Sequence, residues 1–263
     1  MSGILINGSL VHYETFGRGS PIVFVHGWLG SWRYWVPTME DLAIDHRAYA
    51  FDLWGFGDSD KAREAYEVDA YVELLFNFMD ELGVWRSPVV GHTLGAAIAA
   101  RAAARHPDRV SKVMAVGLPL SSEAINRKLL SAGPNNTLAR LFWHRQRPFA
   151  EVEMAVPKMA KNAIALTIQS VARLDLLGTL DKIEVPLLAV YGEKDVVIDP
   201  SQADELEENH YAAKSIVLSD SYHFPMLDQS AKFARLLRDF LDVENPEQLR
   251  ALTVKREWRR RTR

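Results

Sequence analysis

The chain has 263 residues, enough for one large α/β domain or two small ones, with 48% hydrophobic and 25% charged residues, an ordinary globular balance. The absence of cysteine excludes disulfides, thiolate metal ligands and a Cys nucleophile. Formal net charge is −3, yet residues 250–263 hold seven basic residues against Glu257, so the body is acidic and no nucleic-acid-binding core is expected.

Residues 4–16 predict two short strands around Asn7-Gly8, a pair favoured in type I′ hairpins. The continuous apolar run 22–25 predicts a strand buried on both faces, and it ends in His26-Gly27-Trp28. A helix is expected over 34–44, a buried strand over 48–51, and a glycine-punctuated loop from 52 to 60. Apolar side chains at Val68, Tyr71, Val72, Leu75, Phe78, Met79 and Leu82 have helical spacing. Further strands are read at 89–90, 113–116, 187–191 and 215–218, with helices over 94–105, 200–208 and 228–242. Strands alternating with helices imply a parallel sheet with right-handed crossovers. The rhythm breaks between Pro119 and about Leu177, a helix-rich span without a strand-like run. It reads as an insertion folded over the edge where α/β enzymes bind ligands. No apolar run approaches the roughly 18 residues of a membrane span, and the N-terminus lacks secretory-signal character, so a cytoplasmic location is the default expectation.

The most informative stretch is Gly91-His92-Thr93-Leu94-Gly95, between a short apolar run and an Ala-rich segment. Strand, tight turn and helix is the setting of a nucleophile elbow, which throws its central side chain over the sheet edge. Acyl transfer needs a nucleophile, a base, an orienting carboxylate and an oxyanion hole. Thr93 is the candidate nucleophile. His223 follows the last predicted strand and is the candidate base. Asp195, in Gly192-Glu193-Lys194-Asp195, is the candidate orienting acid. The backbone N–H groups of Trp28 and Leu94 are the candidate oxyanion donors. Taken singly, Thr93 also fits a helix cap, His223 a structural histidine and Asp195 a surface turn. Their joint order, nucleophile then acid then histidine, is what carries the reading.

With VFVHGW (23–28), FDLWGFGDSD (51–60), GHTLG (91–95), YGEKDVVIDP (191–200) and SYHFPMLDQ (221–229), the chain resembles the α/β-hydrolase superfamily, in its small-cap esterase, lipase and haloperoxidase-like branch. The resemblance covers roughly residues 4–242. It implies an eight-stranded, mostly parallel sheet flanked by helices, a helical cap, and hydrolysis without a cofactor. It also implies triad positions at Thr93, Asp195 and His223, oxyanion positions at Trp28 and Leu94, and a structural role for Asp52 and Asp60. The departure is Thr93, where the family carries serine or aspartate. The elbow residue of this fold has positive φ, which disfavours a β-branched side chain.

The expected organisation is a core of residues 1–118 and 178–245, a cap of 119–177 and a basic tail of 246–263. The expected activity is hydrolysis of carboxylic esters with small to medium apolar acyl or aryl groups, through an acyl–Thr93 intermediate. Trp28, His92, Phe142, Trp143 and Phe224 are expected to line the substrate pocket. Two rival readings stand beside this one: a silent homologue that binds a small apolar ligand, and His223–Asp195 general-base chemistry without an acyl-enzyme, of lyase or cofactor-free oxygenase type. His12, His46, His106, His144 and His210 lack metal-ligand spacing, so no metal is expected. The expected partner is a small ester, with weak anionic-membrane contact through the basic tail as an alternative to a solvated terminus.

Overall fold

The computed structural model describes residues 2–61, 66–126 and 149–254, so Phe142, Trp143 and the arginines of 255–263 lie outside the described residues. Asn7 and Gly8 take φ of 52° and 76°, as a type I′ turn requires, and β1 (Ser2–Ile6) folds back on β2 (Ser9–Gly17). The apolar runs become β3 (Ser20–Val25), β4 (His46–Phe51), β5 (Ser87–His92), β6 (Val110–Val116), β7 (Leu187–Gly192) and β8 (Ala213–Leu218). Among the described residues these eight strands form one sheet in the order β1-β2-β4-β3-β5-β6-β7-β8. The β1–β2 and β2–β4 pairs are antiparallel and every other pair is parallel. The inner stretches of the parallel strands, 22–25, 48–51, 113–116 and 187–191, are apolar and buried because helices cover both faces, which leaves no solvated side for polar alternation.

The covering helices are α1 (Val36–Leu42), α2 (Val68–Glu81) and α3 (Leu94–Arg105), then α4 (Ala150–Ala155), α5 (Ala163–Ala172) and α6 (Leu176–Leu180). They are followed by α7 (Ala203–Asn209), α8 (Pro225–Asp228), α9 (Ser230–Leu241) and α10 (Pro246–Ala251). The expected helix over 228–242 is two pieces, α8 and α9, joined through Gln229. No described helix is long and apolar enough to cross a membrane.

The described part of the expected cap lies over the loops that follow the strands. Ala160 N–H donates to the Gly55 carbonyl at 2.7 Å, and Val68 N–H donates to Ser170 Oγ at 3.0 Å. Lys158 Nζ pairs with Asp58 at 2.5 Å. Residues 119–126, expected in the cap, pack on the core instead. Ile125 bridges Ile198, and Leu120 N–H donates to Gln202 Oε1. A boundary at residue 246 also falls short of the packed chain. Asn245 caps α10 through its side chain, Leu249 is fully buried, and Leu252 joins the same core. Apolar area at 249 and 252 is enough to hold this turn on β8, so the body extends to about residue 254.

Candidate active site

A single residue separates β5 from α3, so the chain must reverse at Thr93, and it does so with φ 46° and ψ −101°. Thr93 N–H donates to the Val116 carbonyl at 2.8 Å, and its carbonyl accepts from Ala97 N–H at 3.0 Å. A Cβ at Gly95 would collide with the Val25 carbonyl, so only glycine lets α3 approach β3 this closely. A β-branched residue at positive φ is strained by on the order of 1–3 kcal/mol.

β7 and β8 deliver the other two groups. Asp195 Oδ1 accepts from Val197 N–H at 2.8 Å and from Ile198 N–H at 3.2 Å. His223 Nδ1 lies 2.9 Å from Asp195 Oδ2 and 3.1 Å from Oδ1. The two side chains are 0% and 2% exposed, so water does not compete for this bond. A carboxylate only accepts, so Nδ1 carries the proton and Nε2 is the ring atom left for base chemistry. The loop is braced by Asp228, which accepts from Tyr222 N–H at 2.8 Å and is pushed up in pKa by burial.

The Thr93 side differs. Thr93 is fully buried, and its Oγ1 has no hydrogen-bond partner among the described residues. The oxygen lies over Gly27, where a Cβ would collide with it. The methyl Cγ2 faces Gly117, 3.4 Å from where that residue's Cβ would be, and Asp195 Oδ2 is 3.9 Å from the same point. The hydroxyl is therefore turned to the loop after β3, and the methyl faces the Asp195 side.

Residues 20–142 match the family model for the alpha/beta hydrolase fold. The chain has the α/β-hydrolase fold. It is 25% identical over 253 residues to the pimeloyl-[acyl-carrier protein] methyl ester esterase of Vibrio campbellii, covering 88% of this chain and 98% of that one. The enol-lactonase of Burkholderia xenovorans superposes with a TM-score of 0.81 at 22% identity, covering 92% of this chain and all of that one. A bromoperoxidase from Bacillus anthracis gives 0.79 at 22% identity, covering 89% and 96%.

In this fold the remaining expected site residues take varied places. Leu94 opens α3, so its N–H belongs to the first turn, which has no intrahelical acceptor. The Gly27 carbonyl accepts from His26 Nδ1 at 2.9 Å and Gly30 N–H at 3.2 Å. Burial holds the His26 pKa down at about 4, and its Nε2 accepts from Leu53 N–H at 2.9 Å, which fixes the Nδ1–H tautomer. The Trp28 indole is buried and donates to Thr167 Oγ1 at 3.0 Å, so it ties the loop to α5.

His92, expected to line the pocket, does not. Its ring is fully buried between the Tyr34 hydroxyl and the His223 carbonyl, at 3.1 Å and 2.8 Å. Side chains alternate along a strand, so the residue before Thr93 points away from the Thr93 side. Phe224 is buried edge-on against His223 and Phe149 and lies tilted against His92. Tyr34 was not singled out by the sequence; within Trp32-Arg33-Tyr34-Trp35 it carries only the signal of an aromatic helix start.

Among the described residues one group has donor atoms close enough to consider for a metal: His12, Asp52 and Asp58. Its carboxylates are already engaged. Asp52 accepts from Trp32 N–H and Asp58 N–H, both at 2.8 Å, and Asp58 pairs with Lys158 and Arg33. Asp52 therefore acts as a loop brace, the structural role expected of it.

Proposed function

We propose that this α/β-hydrolase cleaves carboxylic esters with small to medium apolar acyl or aryl groups, using Thr93, His223 and Asp195. The observation that carries the reading is the buried His223–Asp195 bond set at the strand ends beside a positive-φ hydroxyl residue. Rotation of the Thr93 side chain brings Oγ1 from Gly27 towards His223. His223 Nε2 takes the hydroxyl proton as Oγ1 bonds to the ester carbon, and the carbonyl π electrons move to oxygen. The Trp28 and Leu94 N–H groups receive that oxyanion. Collapse expels the alkoxide, which takes the proton from His223, and leaves acyl–Thr93. Water, deprotonated by His223, then releases the acid and restores the threonine. The named substrate of the Vibrio relative, a methyl ester, supports the ester class.

A second reading is favoured by the direction of Oγ1. With the hydroxyl turned to Gly27, His223 deprotonates water or a substrate proton directly, and no acyl-enzyme forms. Fluorophosphonate labelling with mass-spectrometric site mapping separates the two. An adduct on Thr93 supports the covalent route. An unlabelled protein that turns over esters, with turnover surviving Thr93→Ala, supports the direct route.

A further inference from the structure

We propose that Tyr34 and His92 are positioning residues, and that a one-way hydrogen-bond chain through their side chains sets the oxyanion loop, the nucleophile turn and the base loop against one another. The proposal rests on the ester-hydrolase reading above.

The chain has three links. Gly27 N–H donates to Tyr34 Oη at 2.6 Å. Tyr34 Oη lies 3.1 Å from His92 Nδ1. His92 Nε2 lies 2.8 Å from the His223 carbonyl oxygen. A carbonyl only accepts, so His92 Nε2 bears a proton. Burial and the neighbouring His223 hold the His92 pKa well below its ordinary value, so the ring is neutral and Nδ1 is bare. The Tyr34 hydroxyl must then donate to Nδ1, and its oxygen accepts from Gly27. Each donor meets an acceptor, and the direction runs one way from Gly27 to His223.

The ends of the chain are the parts that a hydrolytic site must align. Gly27 precedes Trp28, and the peptide plane between them is fixed on its carbonyl side by His26 and Gly30. A trans peptide sets the Trp28 N–H opposite that carbonyl. The Tyr34 bond fixes the peptide on the other side of Gly27. His92 is the residue immediately before Thr93, and the accepting carbonyl belongs to His223 itself.

The hydroxyl, rather than the ring alone, makes these links. Tyr34 and His92 are both fully buried and meet edge to face, centroids 5.6 Å apart. A Cβ at Gly30 would collide with Tyr34 Cε1, so the ring's course is built into the loop. Phenylalanine would fill the same space and leave Gly27 N–H and His92 Nδ1 without their partner. Small misplacements of reacting groups are costly to rate, about a hundredfold for 1 Å.

The test compares wild type with Tyr34→Phe, His92→Gln and His92→Leu. The readouts are kcat and KM for p-nitrophenyl acetate, thermal midpoints, and nitrogen-15 NMR of the histidine rings. NMR should show His92 as the neutral Nε2–H tautomer. Tyr34→Phe and His92→Leu should lower kcat roughly tenfold to a hundredfold with KM within about twofold. His92→Gln keeps a donor for the His223 carbonyl and should recover most of that loss; a merely structural role would make Gln and Leu alike. If Tyr34→Phe does not fold, the His92→Gln and His92→Leu pair decides. Unchanged kcat in the folded variants, or an Nδ1–H tautomer, overturns the proposal. A wild type without ester turnover overturns the hydrolase reading instead, and the tautomer then decides the chain by itself.

Discussion

Replacing Thr93 by serine removes one methyl and the β-branch from a turn with φ 46°. Two stability effects oppose each other. Losing a buried methyl costs about 0.8 kcal/mol of transfer free energy. Losing the branch relieves part of the roughly 1–3 kcal/mol of strain at such a backbone position. The net change in folding stability should stay within about 1 kcal/mol. The effect on rate should be larger. In threonine, moving Oγ1 off Gly27 forces Cγ2 from its seat by Gly117 into another staggered position, whereas serine carries only hydrogen there. Removing about 1.4 kcal/mol of that cost raises the rate tenfold. The assay is p-nitrophenyl acetate hydrolysis by wild type, Thr93→Ser and Thr93→Ala, with thermal midpoints for each. The expected order is serine at least about tenfold above threonine, with alanine at background. A serine variant no faster than wild type, in a protein labelled at Thr93, would refute the steric argument and show a site fitted to threonine. Wild-type turnover in Thr93→Ala would remove Thr93 as nucleophile.

His223→Ala should abolish ester turnover and cost about 1–3 kcal/mol of stability, because it leaves the buried Asp195 without its side-chain donor; retained turnover in chemical-shift-verified folded protein would remove His223 from the mechanism. Burial raises the Asp52 pKa to about 7, so the folded state binds the extra proton between about pH 4 and 7, and this stabilisation is lost as pH rises through that window. His26, held at about 4, has the opposite slope: its contribution is present above pH 6.5 and lost as pH falls through 4. Asp52→Asn deletes the first slope, so its stability relative to wild type should rise from about pH 4.5 to about pH 7.5 in urea titrations; a constant difference would contradict the assignment. Truncation after Val243 should cost roughly 1.5–3 kcal/mol through loss of the buried Leu249. Truncation after Val254 should leave soluble-ester turnover and the thermal midpoint unchanged. It should also weaken co-sedimentation with anionic vesicles at low salt, by up to about 1 kcal/mol per basic residue. Lost turnover in the 1–254 protein would refute this division.

Much of the fold was legible in the chain because its signals are local. A strand covered on both faces must be apolar throughout, so the runs at 22–25, 113–116 and 187–191 stand out, and Asn7-Gly8 states its own turn. The helix expected over 94–105 is α3, and the positive φ expected at position 93 is present. The motif order also put Asp195 and His223 after consecutive strands, where a parallel sheet brings them together. Side-chain direction was not legible. His92 lies next to Thr93 in sequence, yet strand alternation turns its ring to the opposite side, onto Tyr34 and the His223 carbonyl. Tyr34 acquires its place only when the loop after β3 meets β5, a contact between residues 58 apart in the chain. Leu249 reads as part of a charged tail until β8 offers it a surface to cover. The Thr93 hydroxyl was named by its motif, but its direction depends on Gly27 and Gly117, in the loops that follow two other strands. Local propensity and pattern fixed which elements form; packing between distant elements fixed which way their functional atoms face.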